Sequence, residues 1–134
     1  MEAPPVAQAL HSMYEARLAA DVEACVASFA EAGVYRMANV YDASGQPLRA
    51  RGHEQLRAAL AELVNTWRWV RRDERSLVVE GDRACALYRL QLVHRPTGEA
   101  IDTEMMDHVT FDGDGKATTF AQFLDTALVA RLST

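Results

Sequence analysis

The chain has 134 residues, 49% hydrophobic and 25% charged, the length of one domain with enough apolar material for a core. Its 19 acidic and 14 basic residues leave a net charge of −5 at pH 7, the wrong sign for a nucleic-acid footprint. Met1-Glu2-Ala3-Pro4-Pro5 lacks the regions of a signal peptide and no apolar run reaches membrane-spanning length, so a cytoplasmic protein without membrane contact is expected.

In chain order, Val6, Leu10, Met13, Tyr14 and Leu18 recur at helical spacing and predict a first helix. Asp21 is placed to cap a second helix carrying Val22, Cys25, Val26 and Phe29 on one side, with Gly33 as its stop. Val34 to Tyr41 reads as a strand with Tyr35, Met37, Asn39 and Tyr41 on one face, and Asp42 to Pro47 reads as a loop. Gly52 to Trp67 is the clearest helix, because Leu56, Ala59, Leu60, Leu63, Val64 and Trp67 form one apolar stripe. Four strand-like runs follow, about 68–79, 83–94, 100–111 and 117–124. They are separated by Glu80-Gly81-Asp82, Arg95-Pro96-Thr97-Gly98 and Asp112-Gly113-Asp114-Gly115, the punctuation of an antiparallel meander. A short helix with Asp125 or Thr126 as its cap closes the chain.

With no internal repeat or linker, residues 1–134 read as a single α+β domain. A curved antiparallel sheet is expected to wrap the first helix and helix Gly52–Trp67 into a cone, whose open end suits a small-molecule pocket.

The run Met105-Met106-Asp107-His108-Val109-Thr110-Phe111 places a carboxylate on the face of Met105, Val109 and Phe111, the face expected to be buried. A buried unpaired acid is costly, so Asp107 either finds a partner or does chemistry. Gln122, inward between Phe120 and Leu124, needs partners too, and Asp107 on the neighbouring strand is the obvious one. The bland alternative is that Asp107, bonded to Tyr14 or Gln122, only fixes the pocket wall. His11 and His53 are expected in solvent, His94 at a strand end, and His108 opposite Asp107, at a subunit interface or in solvent. No two histidines have metal-ligand spacing, so no metal is expected. Asp112-Gly113-Asp114-Gly115 is a hairpin turn and not a calcium loop, since the twelfth position is Phe123 rather than Glu. The run Arg68, Arg71, Arg72 and Arg75 is read as a solvated strand edge, and Cys25 and Cys85 as buried free thiols of a reducing compartment.

The order of elements, with Ala19-Ala20-Asp21-Val22-Glu23-Ala24-Cys25-Val26-Ala27-Ser28-Phe29-Ala30, Gly52-His53-Glu54-Gln55-Leu56, Asp107-His108-Val109-Thr110-Phe111 with Gly115-Lys116, and Phe123-Leu124-Asp125-Thr126, resembles the nuclear transport factor 2-like superfamily over nearly the whole chain. That group includes the ketosteroid isomerases, the SnoaL-type cyclases and limonene epoxide hydrolase, so the resemblance implies the cone fold more than any one activity. In the ketosteroid isomerases a protonated aspartate donates a hydrogen bond to the developing enolate. Asp107 falls on that position, the family's general base falls on Met37, and its oxyanion tyrosine falls on Met13, next to Tyr14. The base of limonene epoxide hydrolase falls on Gln122, a neutral amide. Neither of those two activities is expected as such.

The expected catalytic residues are therefore Asp107 and Tyr14. The expected ligand contacts are Met13, Tyr35, Met37, Asn39, Trp67, Tyr88, Met105 and Gln122. Core packing is the competing reading for Trp67 and the methionines. The function expected is a cofactor-independent isomerase, dehydratase or cyclase acting on a small hydrophobic or carbonyl-containing molecule. The alternative is a non-catalytic ligand-binding or dimeric interaction module with a residual pocket. The apolar outer sheet face, with Leu87 and Val93, suggests a homodimer, as the resemblance does.

Overall fold

Two short helices lead into a long strand in the computed structural model, which describes residues 4–41 and 43–132. Helix α1 (Val6–Leu18) buries Leu10, Met13, Tyr14 and Arg17, the i, i+3, i+4 and i+7 positions of one stripe. The stripe thus ends on Arg17 and not on Leu18, which is exposed. Helix α2 (Val22–Ala27) begins as expected, with the Asp21 carboxylate accepting from the Ala24 amide over 3.0 Å.

The second helix stops earlier than the sequence predicts. Phe29 opens strand β1 (Phe29–Tyr41), and Gly33 lies inside that strand instead of ending a helix. The cause is β6 (Ala117–Phe123), against which Phe29 and Val34 pair with Ala117 and Thr119. A Cβ on Gly33 would sit 2.8 Å from the carbonyl oxygen of Ala117. Only glycine lets the two backbones come that close.

Pro47, read as loop, starts β2 (Pro47–Arg51), a short strand antiparallel to β1 that carries no alternating apolar pattern. The register of that pair shifts between Arg36 and Tyr41. Tyr35 and Met37 face inward, but beyond the shift Val40 does so and Tyr41 is 59% exposed, which breaks the single face expected of the strand. The side chain of Asn39 lies outside the described residues.

Helix α3 (Gly52–Thr66) buries Leu56, Leu60 and Val64, and Trp67 falls just past its end as the first residue of β3 (Trp67–Glu80). Strands β4 (Arg83–His94), β5 (Glu99–Phe111) and β6 continue as the expected meander. The last hairpin turn is tied by Asp112, whose carboxylate accepts from the amides of Asp114 and Lys116 over 2.9 and 3.0 Å. Helix α4 (Thr126–Leu132) is capped by Asp125, which accepts from the Leu128 amide.

The strand order is β2-β1-β6-β5-β4-β3, antiparallel throughout except for the parallel pair β1–β6. Register shifts in β3 at Trp69/Arg71 and Glu74/Ser76 bend the sheet. The result is an α+β architecture, a curved and unclosed sheet whose concave face is covered by helices. Among the described residues no helix is long and apolar enough to cross a membrane.

Candidate functional site

Asp107 is 0% exposed. Strand pairing sets it opposite Gln122 of β6 on one side and Ala86 of β4 on the other, and Tyr88 lies two residues further along β4 on the same face. Helix α1 lowers Tyr14 onto this spot from across the core. The hydroxyls of Tyr14 and Tyr88 both donate to Asp107 Oδ2, over 2.6 and 2.7 Å, while Oδ1 has no partner among the described residues. The tyrosines meet edge to face, with ring centroids 5.2 Å apart. Gln122 extends the cluster. Its amide donates to the Tyr88 oxygen over 3.4 Å, and its carbonyl oxygen accepts from the Tyr35 hydroxyl over 2.5 Å.

Burial pushes the Asp107 carboxyl up to about 6, against the opposing pull of the two hydroxyls, the Gln122 amide and the Arg72 charge. Burial and the neighbouring Asp107 raise the phenols of Tyr14, Tyr35 and Tyr88, so all three stay protonated in the physiological range. The group thus has one carboxyl that titrates near neutrality among hydroxyls that do not.

Arg72 is the cation behind this cluster. Its guanidinium lies 3.5 Å from the centroid of the Tyr14 ring and 4.3 Å from that of Tyr88, and its side chain is only 7% exposed. Arg68, Arg71 and Arg75 are exposed as a solvated edge should be, but Arg72 is not one of them. The register shifts of β3 on either side of it turn the side chain inward, which strict alternation does not anticipate. The outer end of Arg72 reaches Glu74, which also binds His11 over 2.9 Å, so His11 is paired rather than free in solvent.

Beside the cluster lies a cavity of about 470 Å3 between the helices and the concave sheet face, within the size range of small-molecule sites. Met13, Tyr14, Tyr35 and Met37 line it, as do Trp67, Met105 and Gln122. Asp107 and Tyr88 do not: they sit behind the wall, and Tyr14 is the residue that both bonds Asp107 and faces the cavity. Two further polar residues on the wall escape the sequence reading. His94 is buried, with Nδ1 against the Thr97 hydroxyl and its ring 4.6 Å from that of Trp67. Arg17 is buried on α1, and the signal for it was its place seven residues beyond Leu10 on the apolar stripe. His53 is half-buried against the carbonyl of Phe29, and Cys85 is half-buried rather than buried. Among the described residues no group of three or more metal-ligating side chains gathers.

The sequence signature of the SnoaL-like domain matches residues 10–120. No curated protein matches the chain significantly. Among solved structures, a candidate isomerase from Bacillus subtilis is similar with a TM-score of 0.84 at 12% identity, covering 96% of this chain and 91% of that one. A candidate SnoaL-like polyketide cyclase from Jannaschia sp. CCS1 is similar with a TM-score of 0.77 at 17% identity, covering 95% and 90%. An LEH-like epoxide hydrolase from M. tuberculosis is similar with a TM-score of 0.74 at 14% identity, covering 95% and 87%. At such identities the likeness is one of fold, and the three names show that this fold carries several chemistries.

Proposed function

We propose, on the premise that the chain belongs to the SnoaL-like domain family, that it binds a small, largely apolar molecule in the cavity and moves a proton on it through Tyr14 and Asp107, without a cofactor. The observation that carries this reading is the 2.6 Å bond between Asp107 and Tyr14, the one of its two tyrosine partners that lines the cavity. With Asp107 ionised, the Tyr14 hydroxyl donates its hydrogen bond to the carboxylate and offers the ligand a lone pair, so that as Tyr14 takes a proton from the ligand its own passes to Asp107. With Asp107 protonated near pH 6, the bond reverses, and the Tyr14 hydroxyl proton turns to a carbonyl or hydroxyl oxygen of the ligand. Asp107 then acts as a positioning residue and proton reservoir, and Tyr14 makes the contact. The reactions this serves are isomerisation, dehydration or cyclisation of a carbonyl or hydroxyl compound.

Proton exchange tests it without knowledge of the natural substrate. A panel of small enolisable ketones is incubated with the protein in deuterium oxide, and deuterium at the α-carbon is followed by NMR. The expected result is enzyme-dependent exchange that falls roughly a hundredfold or more in Tyr14→Phe. No exchange with any ketone, or unchanged exchange in Tyr14→Phe, refutes the catalytic reading.

One observation favours a second reading, a binding module without turnover. Asp107 is sealed from the cavity. Under that reading Asp107→Asn and the parent hold a ligand equally well.

A second copy is the partner proposed for the outer sheet face. Leu87, Met106 and Phe123 form one cross-strand row there, with Met106 44% exposed. Cys25 and Cys85 are free thiols, which suits the cytoplasm.

A further inference from the structure

Among the described residues no carboxylate balances the charge of Arg17. The residue is 9% exposed and lines the cavity. Its Nη2 donates to the backbone carbonyls of Trp67 and Leu63 over 2.7 and 3.3 Å, and its guanidinium lies 4.9 Å from the Trp69 ring centroid. Its Nη1 is buried and has no hydrogen-bond partner among the described residues. No carboxylate forms a salt bridge with it there either. A buried cation without a counter-charge, with one donor nitrogen unused, is an unfavourable arrangement that a native fold rarely keeps without a use. Two carbonyls and an aromatic face fix the guanidinium in place, so a binding group is already oriented. His94 stands next to the same Trp67, adding a second nitrogen-bearing side chain to that stretch of wall. The acidic residues on the lining, Glu62 and Asp125, are exposed, and solvent screens them.

We infer that the cavity takes an organic anion, an apolar body bearing one carboxylate or similar oxyanion, and that the Arg17 guanidinium on the cavity wall receives the anionic oxygen. This rests on the pocket reading above and adds the substrate class to it. The apolar body lies along Met13, Met37, Met105 and Phe120, which line the same cavity. The anion at Arg17 fixes which end of the molecule meets Tyr14, one helical turn earlier on α1. The consequence is orientation of the ligand as well as affinity.

Two fluorescent probes with the same rings test the inference: anilinonaphthalene sulfonate, an anion, and N-phenylnaphthylamine, its neutral counterpart. The parent is expected to bind the sulfonate tighter than the amine by roughly tenfold to a hundredfold. In Arg17→Gln that ratio falls to near one, and Arg17→Lys keeps part of it. Because Arg17 also holds two carbonyls, the parent is read independently by the nitrogen-15 signals of its guanidinium, which move on adding the sulfonate and stay put with the amine. Equal affinity of the parent for both probes, or guanidinium signals indifferent to the sulfonate, overturns the Arg17 assignment and leaves the pocket reading standing. Failure of both probes to bind overturns both.

Discussion

The Tyr14 hydroxyl and Asp107 Oδ2 meet over 2.6 Å although 93 residues separate them in the chain. The bond joins the first helix to the fifth strand inside the buried core. It also sets Asp107 apart from an ordinary core residue, since the carboxyl it serves is fully buried and titrates at about 6.

Stability should depend on pH through Asp107. The unfolded chain binds this proton at about pH 3.9 and the folded chain at about 6, so protonation favours the fold. The contribution is full below about pH 4 and is lost as the pH rises through about 6, amounting to about 3 kcal/mol. Urea unfolding at intervals from pH 4 to 7 should show that loss in the parent and a flatter profile in Asp107→Asn. Parallel profiles would refute the assignment.

Tyr14→Phe removes a donor from Asp107 Oδ2 and leaves Tyr88 as the remaining hydroxyl there among the described residues. Both hydroxyls favour the ionised carboxyl, so the Asp107 titration should move upward in the variant. Stability near pH 7 should fall by about 1–3 kcal/mol, because the ionised acid loses a partner in a dry site. Carboxyl carbon-13 titration reads the first effect and urea unfolding the second.

Arg72→Leu tests the cation over the two tyrosine rings. The charge holds Asp107 down, so its removal should again raise the Asp107 titration, at a stability cost of about 1–3 kcal/mol. Arg72→Lys should restore much of the titration but less of the stability, since an ammonium does not stack as a planar guanidinium does. An Asp107 titration unmoved in Arg72→Leu would remove Arg72 from the site.

Gly33→Ala should destabilise by about 1–3 kcal/mol, because the new methyl meets the Ala117 carbonyl at 2.8 Å and backbone cannot swing aside as a side chain can. The midpoint of urea unfolding should fall with little change in slope. A midpoint equal to the parent's would show that β1 and β6 separate at no cost.

Periodicity carried most of the fold. The stripe Leu56, Leu60, Val64 marks α3, Asp21 marks the start of α2, and three turns marked the meander, since each is a local preference written into neighbouring residues. Where the reading failed, a distant strand had overridden local preference. Phe29 and Gly33 joined β1 because β6 arrives alongside, and β2 exists only because β1 is there to pair with it.

For the site, strand alternation by itself marked Asp107 as buried and Gln122 on the neighbouring strand as its partner, while Tyr14 entered through the family resemblance. Only the tertiary structure decided which of these groups touch the cavity. Asp107 is shut behind Tyr14, Arg72 is turned inward by register shifts, and Arg17 holds a buried charge with one nitrogen unspent. Alternation and helical period tell which side a residue faces, because they follow from one element's geometry. Depth behind a wall, and the balance of buried charge, are set by how separate elements come together.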